Sequence, residues 1–188
     1  EVSLAPGASF LPDLHEEVEI LTYVRVGALT HPVALGRPCR IEAGEFLRTS
    51  ARGGTDHPKL QGFPGDRTRV LQSCITPDRE SRKPRDEQKR FAVAERSGIL
   101  RLIASPNGRD GSLRIRQDVR IHSTLLDPGT HLIHELLPGR NAWLHVVKGR
   151  ILLIDHGLCA GDGAALVGEA AVSLTAQEPS EILLFDLA

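Results

Sequence analysis

Short runs of β-branched, aliphatic and aromatic residues, closed off at regular intervals by glycine and proline, dominate this chain. Val18-Glu19-Ile20-Leu21-Thr22-Tyr23-Val24 is one such run, with partial alternation of apolar and polar positions. Comparable runs span Thr68 to Ile75, Ile99 to Ala104, Ser112 to Leu126, Ala142 to Ile154, Ala171 to Ala176 and Glu181 to Leu187. Residues of this kind pack well on a pleated, half-buried surface, so each run predicts a strand. Turn chemistry separates them: Pro6-Gly7, Ala43-Gly44, Pro64-Gly65, Pro106-Asn107-Gly108, Pro128-Gly129, Pro138-Gly139 and Gly161-Asp162-Gly163. Many short strands with regular turns predict an all-β chain, folded as a barrel or sandwich.

The pattern also repeats. Leu4-Ala5-Pro6-Gly7 returns as Leu126-Asp127-Pro128-Gly129, and Tyr23-Val24-Arg25-Val26-Gly27-Ala28-Leu29 returns as His145-Val146-Val147-Lys148-Gly149-Arg150-Ile151, both 122 residues later. Ala43-Gly44-Glu45 returns as Ala160-Gly161-Asp162, slightly short of that offset, as a shortened loop would make it. This predicts a duplicated unit. Thr76 to Arg90 lies between the copies, with six basic and four acidic side chains and two prolines. Without interleaved aromatics it reads as a solvated surface linker rather than a phosphate-binding strip.

Composition narrows the function classes. The formal net charge is −1 over 188 residues with 40% hydrophobic content, so the chain is globular and has no bulk electrostatic claim on nucleic acid. No apolar run approaches the roughly 18 residues of a membrane span. Cys39, Cys74 and Cys159 are isolated and lack CxxC spacing, which predicts a reducing, cytoplasmic setting. No GxSxG, P-loop or dinucleotide fingerprint occurs.

At this level of detail the residues resemble the pirin family and the pirin-like quercetinases. The run from Val18 to Val24, then Gly44-Glu45-Phe46, Ser50-Ala51 and His57, is similar to the family's N-terminal barrel. Leu71-Gln72, Lys83-Pro84-Arg85, Gln88-Lys89 and Phe91 are similar to its connector. Ile103-Ala104-Ser105-Pro106, Gly111-Ser112-Leu113, Trp143, Val147-Lys148-Gly149 and Leu183-Leu184-Phe185-Asp186-Leu187 are similar to its C-terminal barrel. The resemblance implies a bicupin, two facing jelly-roll barrels. It divides the chain into an N-terminal barrel over 1–76 that lacks its first strands, a charged linker over 77–95, and a C-terminal barrel over 96–188. It also implies a divalent metal, iron first, in the N-terminal barrel, a small aromatic or flavonol ligand there, and a monomer or weak dimer with scope for a protein partner.

The family's metal motif, His-x-His and His-x-Glu, falls on Asp13, His15, His57 and Lys59. The second copy has Glu135 and Leu137 where the first has Asp13 and His15, so any metal chemistry belongs to the first. Two readings stay open. In one, Asp13, His15 and His57 form the two-histidine, one-carboxylate set of non-haem iron oxygenases, and the protein opens flavonols with dioxygen as a quercetin 2,3-dioxygenase. In the other the site is degenerate, and the protein is weakly active or non-catalytic with a regulatory or stress role. Lys59, in the position of the family's Glu, carries this second reading. An ammonium about 4 Å from a divalent ion is repelled by roughly 8 kcal/mol at an effective dielectric near 20. A third function class is a cysteine-based redox sensor.

The remaining histidines and Cys74 read as structural. His131 and His134, three apart, fall on opposite faces of a strand and are expected at the surface or partly packed. His145, aligned with Tyr23, is expected in a barrel wall, while His31, His122 and His156 have no companion at useful spacing. Cys74 is expected to be a small buried hydrophobe, with Cys39 and Cys159 near turns.

Overall fold

The computed structural model describes residues 1–10, 17–31, 39–51, 60–65, 67–78 and 86–188. They form two compact units, Glu1–Phe91 with Ile115–Gln117, and Ala92–Arg114 with Asp118–Ala188. In the first unit the strands are β1 (Val2–Leu4), β2 (Ser9–Phe10), β3 (Val18–Val26), β4 (Ala28–His31), β5 (Cys39–Glu42), β6 (Glu45–Ala51), β7 (Leu60–Gly62), β8 (Thr68–Ile75) and β9 (Glu87–Arg90). They make two antiparallel sheets, β1-β8-β3-β6-β9 and β2-β7-β4-β5.

The second unit opens with one helical turn, α1 (Val93–Arg96), then continues as β10 (Arg101–Ser105), β11 (Leu113–Arg114), β12 (Val119–Leu126), β13 (His131–Glu135), β14 (Asn141–Lys148), β15 (Arg150–Leu153), β16 (His156–Cys159), β17 (Gly163–Leu166), β18 (Ala171–Ala176) and β19 (Ser180–Leu187). Its sheets are β11-β10-β12-β19-β14-β17 and β13-β18-β15-β16.

The strand orders establish the duplication that the repeated residues predicted. β1-β8-β3-β6 returns as β12-β19-β14-β17, and β2-β7-β4-β5 returns as β13-β18-β15-β16. Both copies even carry the same bulge, between Val24 and Val26 and between Val146 and Lys148. Gly27 and Gly149 follow these bulges with φ of +75° and +87°, a region open to glycine. The hydroxyls of Thr68 and Ser180 then donate to the carbonyls of Ala28 (2.8 Å) and Arg150 (3.0 Å). Gly44 and Gly161 donate their N–H groups to the bulge carbonyls of Val24 and Val146, each at 2.8 Å. Seven residues separate β4 from β5 and two separate β15 from β16, which accounts for the short third offset.

Each unit buries aliphatic side chains between its two sheets. Val24, Leu47 and Val70 meet Leu29, Ile41 and Leu60 in the first. Leu144, Val146, Ile182 and Leu184 meet Leu132, Ile151, Leu153 and Leu174 in the second. Each such side chain contributes about 1.5–3 kcal/mol when fully withdrawn from water. The opposite face of the first unit's larger sheet carries Tyr23 stacked on Phe46 (4.3 Å between centroids), with Phe91 edge-on to Phe46.

Three expectations change. The run from Ser112 to Leu126 breaks into β11 and β12, because Ile115–Gln117 belongs to the first unit, where Glu19 accepts the Arg116 N–H and Nε. The linker ends in a strand: β9 pairs with β6, and the Gln88 amide donates to Glu45 and to the Arg40 carbonyl. Cys74 is exposed rather than buried, because it lies one residue from the end of β8, past the core position Val70. Among the described residues no helix is long and apolar enough to cross a membrane.

Candidate functional site

Asp13, His15, His57 and Lys59 lie outside the described residues. The strands that follow them are described. β3 begins three residues after His15, and β7 begins directly after Lys59. Register puts Thr22 beside Leu47 and Gln72, and Val24 beside Val70, so Thr22 shares the core face of β3 with Val24. Thr22 is fully buried and its hydroxyl accepts the Gln72 amide at 3.1 Å. The polar step in this wall is therefore self-satisfied. Among the described residues no group of three or more His, Cys, Asp and Glu could hold a metal ion.

Elsewhere in this unit, His31 pairs with Cys39 across β4 and β5. Burial lowers the His31 pKa against the opposing charge of Asp86. Burial, then the carboxylates of Asp86 and Glu45, raise the Cys39 thiol above its ordinary value. A thiol held protonated is a poor nucleophile, which counts against Cys39 as a redox sensor.

The second unit holds a constellation that the linear spacing concealed. His122, Thr124 and Leu126 share one face of β12, and register sets His122 and Thr124 opposite the core residues Leu184 and Ile182 of β19. Asp186 lies two residues beyond Leu184 on the same face, opposite Arg120. His134 lies two residues beyond the core residue Leu132 on β13. The His122 and His134 rings meet with centroids 5.0 Å apart. His122 thus has a companion, twelve residues away in sequence and on the other sheet. His131 faces outward and bonds Thr175 at 2.9 Å, while His134 faces in, as their spacing required. His145 sits in the β14 wall as expected.

Asp186 organises this end of the unit. Arg140 donates through Nε to Oδ1 and through Nη2 to the main-chain carbonyl of Asp186 (2.9 Å). Its Nη1 also reaches Asp118 at 3.0 Å. His134 Nε2 and Arg120 Nη1 approach Oδ2 at 3.3 and 3.5 Å. Burial would raise the Asp186 pKa, but the Arg140 and His134 hydrogen bonds and the charges of Arg140 and Arg120 outweigh it and hold the carboxyl below its ordinary value. Burial first, then His134 and the guanidiniums of Arg109 and Arg120, lower the His122 pKa to about 4 against the pull of Asp186. With its carboxylate committed to two arginines, this cluster is not a metal set.

The matching wall of the first unit carries no such cluster among its described residues, and the wider comparison decides the family. Residues 102–187 match the family described as the quercetinase C-terminal cupin domain. The quercetin 2,3-dioxygenase of Escherichia coli (strain K12) is 34% identical over 181 residues, spanning 96% of this chain and 77% of that protein. The pirin-like protein YhaK of the same strain is 34% identical, spanning 98% and 79%.

The chain belongs to the pirin family of bicupins. The crystal structure of YhhW from Escherichia coli superposes with a TM-score of 0.87 at 32% identity, covering 99% of this chain and 78% of that one. A structure of that bacterial pirin in complex with nickel(II) gives 0.84, also at 32% identity, covering 98% and 79%. The family motif nominates Asp13, His15 and His57 as donors to a divalent ion, a set that lies outside the described residues. Two imidazoles and a carboxylate suit a transition metal, and an ammonium in the fourth position does not.

Proposed function

We propose that this pirin is a cytoplasmic bicupin with a degenerate metal site in its first unit, weakly active or non-catalytic, and regulatory in role. The observation that carries the reading is Lys59, standing where the family's glutamate stands. The substitution replaces a negative donor with a positive charge, so it costs the site a ligand and adds repulsion. Asp13, His15 and His57 would hold iron or another divalent ion weakly. That ion, when bound, would polarise an ionised substrate hydroxyl. Three cysteines free of disulfides suit a reducing compartment.

Similarity to a quercetin 2,3-dioxygenase over most of both chains supports a second reading, a working flavonol dioxygenase that uses the same three donors. Incubating iron-loaded protein with quercetin, while following loss of the flavonol absorbance band, separates the two. The degenerate-site reading expects little or no turnover. Robust turnover that disappears in His15→Ala and His57→Ala would establish the enzyme instead.

A further inference from the structure

Two inward-facing groups at the polar end of the second unit are incompletely partnered. The His122 side chain is 7% exposed, and its Nδ1 has no hydrogen-bond partner. Arg120, on the same face of β12 two residues earlier, makes one long contact, 3.5 Å to Asp186, which leaves most of its five donors uncommitted. A buried imidazole nitrogen without a partner costs about 1–3 kcal/mol and calls for an explanation.

Charge indicates what would satisfy both groups. Arg140 is committed to Asp186 and Asp118, and Arg120 to no other carboxylate. Arg109 adds a further positive charge acting on His122. The carboxylates Asp186 and Asp118 are thus matched by Arg140 and Arg120, while Arg109 has Asp110 beside it at 3.8 Å. This end is also open to water, since the Arg120 and His134 side chains are 26% and 18% exposed. We propose that the cluster is a binding site for a small oxyanion, of carboxylate or sulfate size, gripped by the Arg120 fork and by the His122 imidazole beside His134. The site belongs to the second unit and is independent of the metal question in the first.

Such an anion would favour the protonated form of His122, which burial and its cationic neighbours otherwise disfavour. Binding and protonation are then linked, and affinity should rise as pH falls, by up to about tenfold per pH unit. Sulfate is a suitable probe, titrated at ionic strength held constant with chloride and followed through the His122 and His134 ring resonances. The expected result is a rise of the His122 titration midpoint by about one unit or more, with tighter sulfate binding near about pH 5 than at neutrality. Arg120→Gln should abolish the shift, and Arg120→Lys should retain part of it, because the charge survives without the fork. Both variants keep the Arg140–Asp186 contacts and should fold. Ring resonances indifferent to sulfate, or an equal response in Arg120→Gln, would overturn the proposal.

Discussion

Arg140 holds Asp186 at two points, the carboxylate through Nε and the main-chain carbonyl through Nη2 at 2.9 Å. Both side chains are buried, at 8% and 2% exposure. The contact ties the turn before β14 to the end of β19, the strand that occupies the middle of the larger sheet. Removing Arg140 leaves the buried Asp186 carboxylate only the longer contacts to His134 and Arg120, at 3.3 and 3.5 Å. Arg140→Met should therefore lower stability by about 3–5 kcal/mol, read from urea unfolding. A loss below about 1 kcal/mol would mean that water replaces the guanidinium freely.

His122 makes stability depend on pH, and the sign follows from its lowered pKa of about 4. Between that value and the ordinary 6.5, the unfolded chain binds a proton that the folded chain does not. Stability is thus intact above about pH 6.5 and is lost as pH falls toward 4, by roughly 3 kcal/mol in the limit. Asp186 adds a further loss as pH falls below its ordinary 3.8, since its folded pKa is depressed. Urea midpoints measured across this range in chloride buffers should fall more steeply for the native protein than for His122→Gln. Parallel curves would remove His122 from the account.

Gly149 has a sharper requirement than most glycines in the chain. A Cβ there would lie 2.5 Å from the Pro179 carbonyl and 2.4 Å from the Ser180 hydroxyl, at φ +87°. Gly129 has a similar φ of +82° but nothing within 4 Å. Gly129→Ala should cost about 1 kcal/mol from backbone strain alone. Gly149→Ala should cost at least about 3 kcal/mol, because the carbonyl has to move as well. Thermal unfolding of the two variants compares them directly, and equal losses would show that the bulge relaxes around the new methyl.

The repeat was legible in the sequence because it rests on local chemistry. The glycine after each bulge and the glycine that caps it must recur wherever this strand pair recurs, so Gly27 and Gly149, and Gly44 and Gly161, stand out in one dimension. The His122–His134 pair was not legible in the same way. Alternation sets His131 and His134 on opposite faces but does not say which face is inward until Leu132 is known to be core. His122 meets His134 only because β12 and β13, in different sheets, close over one core. Cys74 is exposed against its residue type because burial also depends on position along the strand. The set of Asp13, His15, His57 and Lys59 lies outside the described residues and rests on the family motif.

Lys59 gives that set a direct test. If the ammonium repels a divalent ion, protein purified without chelators should carry well under one equivalent of metal by elemental analysis. Lys59→Glu supplies a fourth donor and removes the repulsion, so its occupancy should rise toward one equivalent. Lys59→Met separates the two effects: it removes the charge without adding a ligand, and should give an intermediate occupancy. His15→Ala combined with His57→Ala in the Lys59→Glu background should return occupancy to the native level or below, because two donors alone hold a transition metal poorly. Stoichiometric iron in the unmodified protein would show that Lys59 turns away from the ion or loses its proton. The degenerate-site reading would then give way to the dioxygenase.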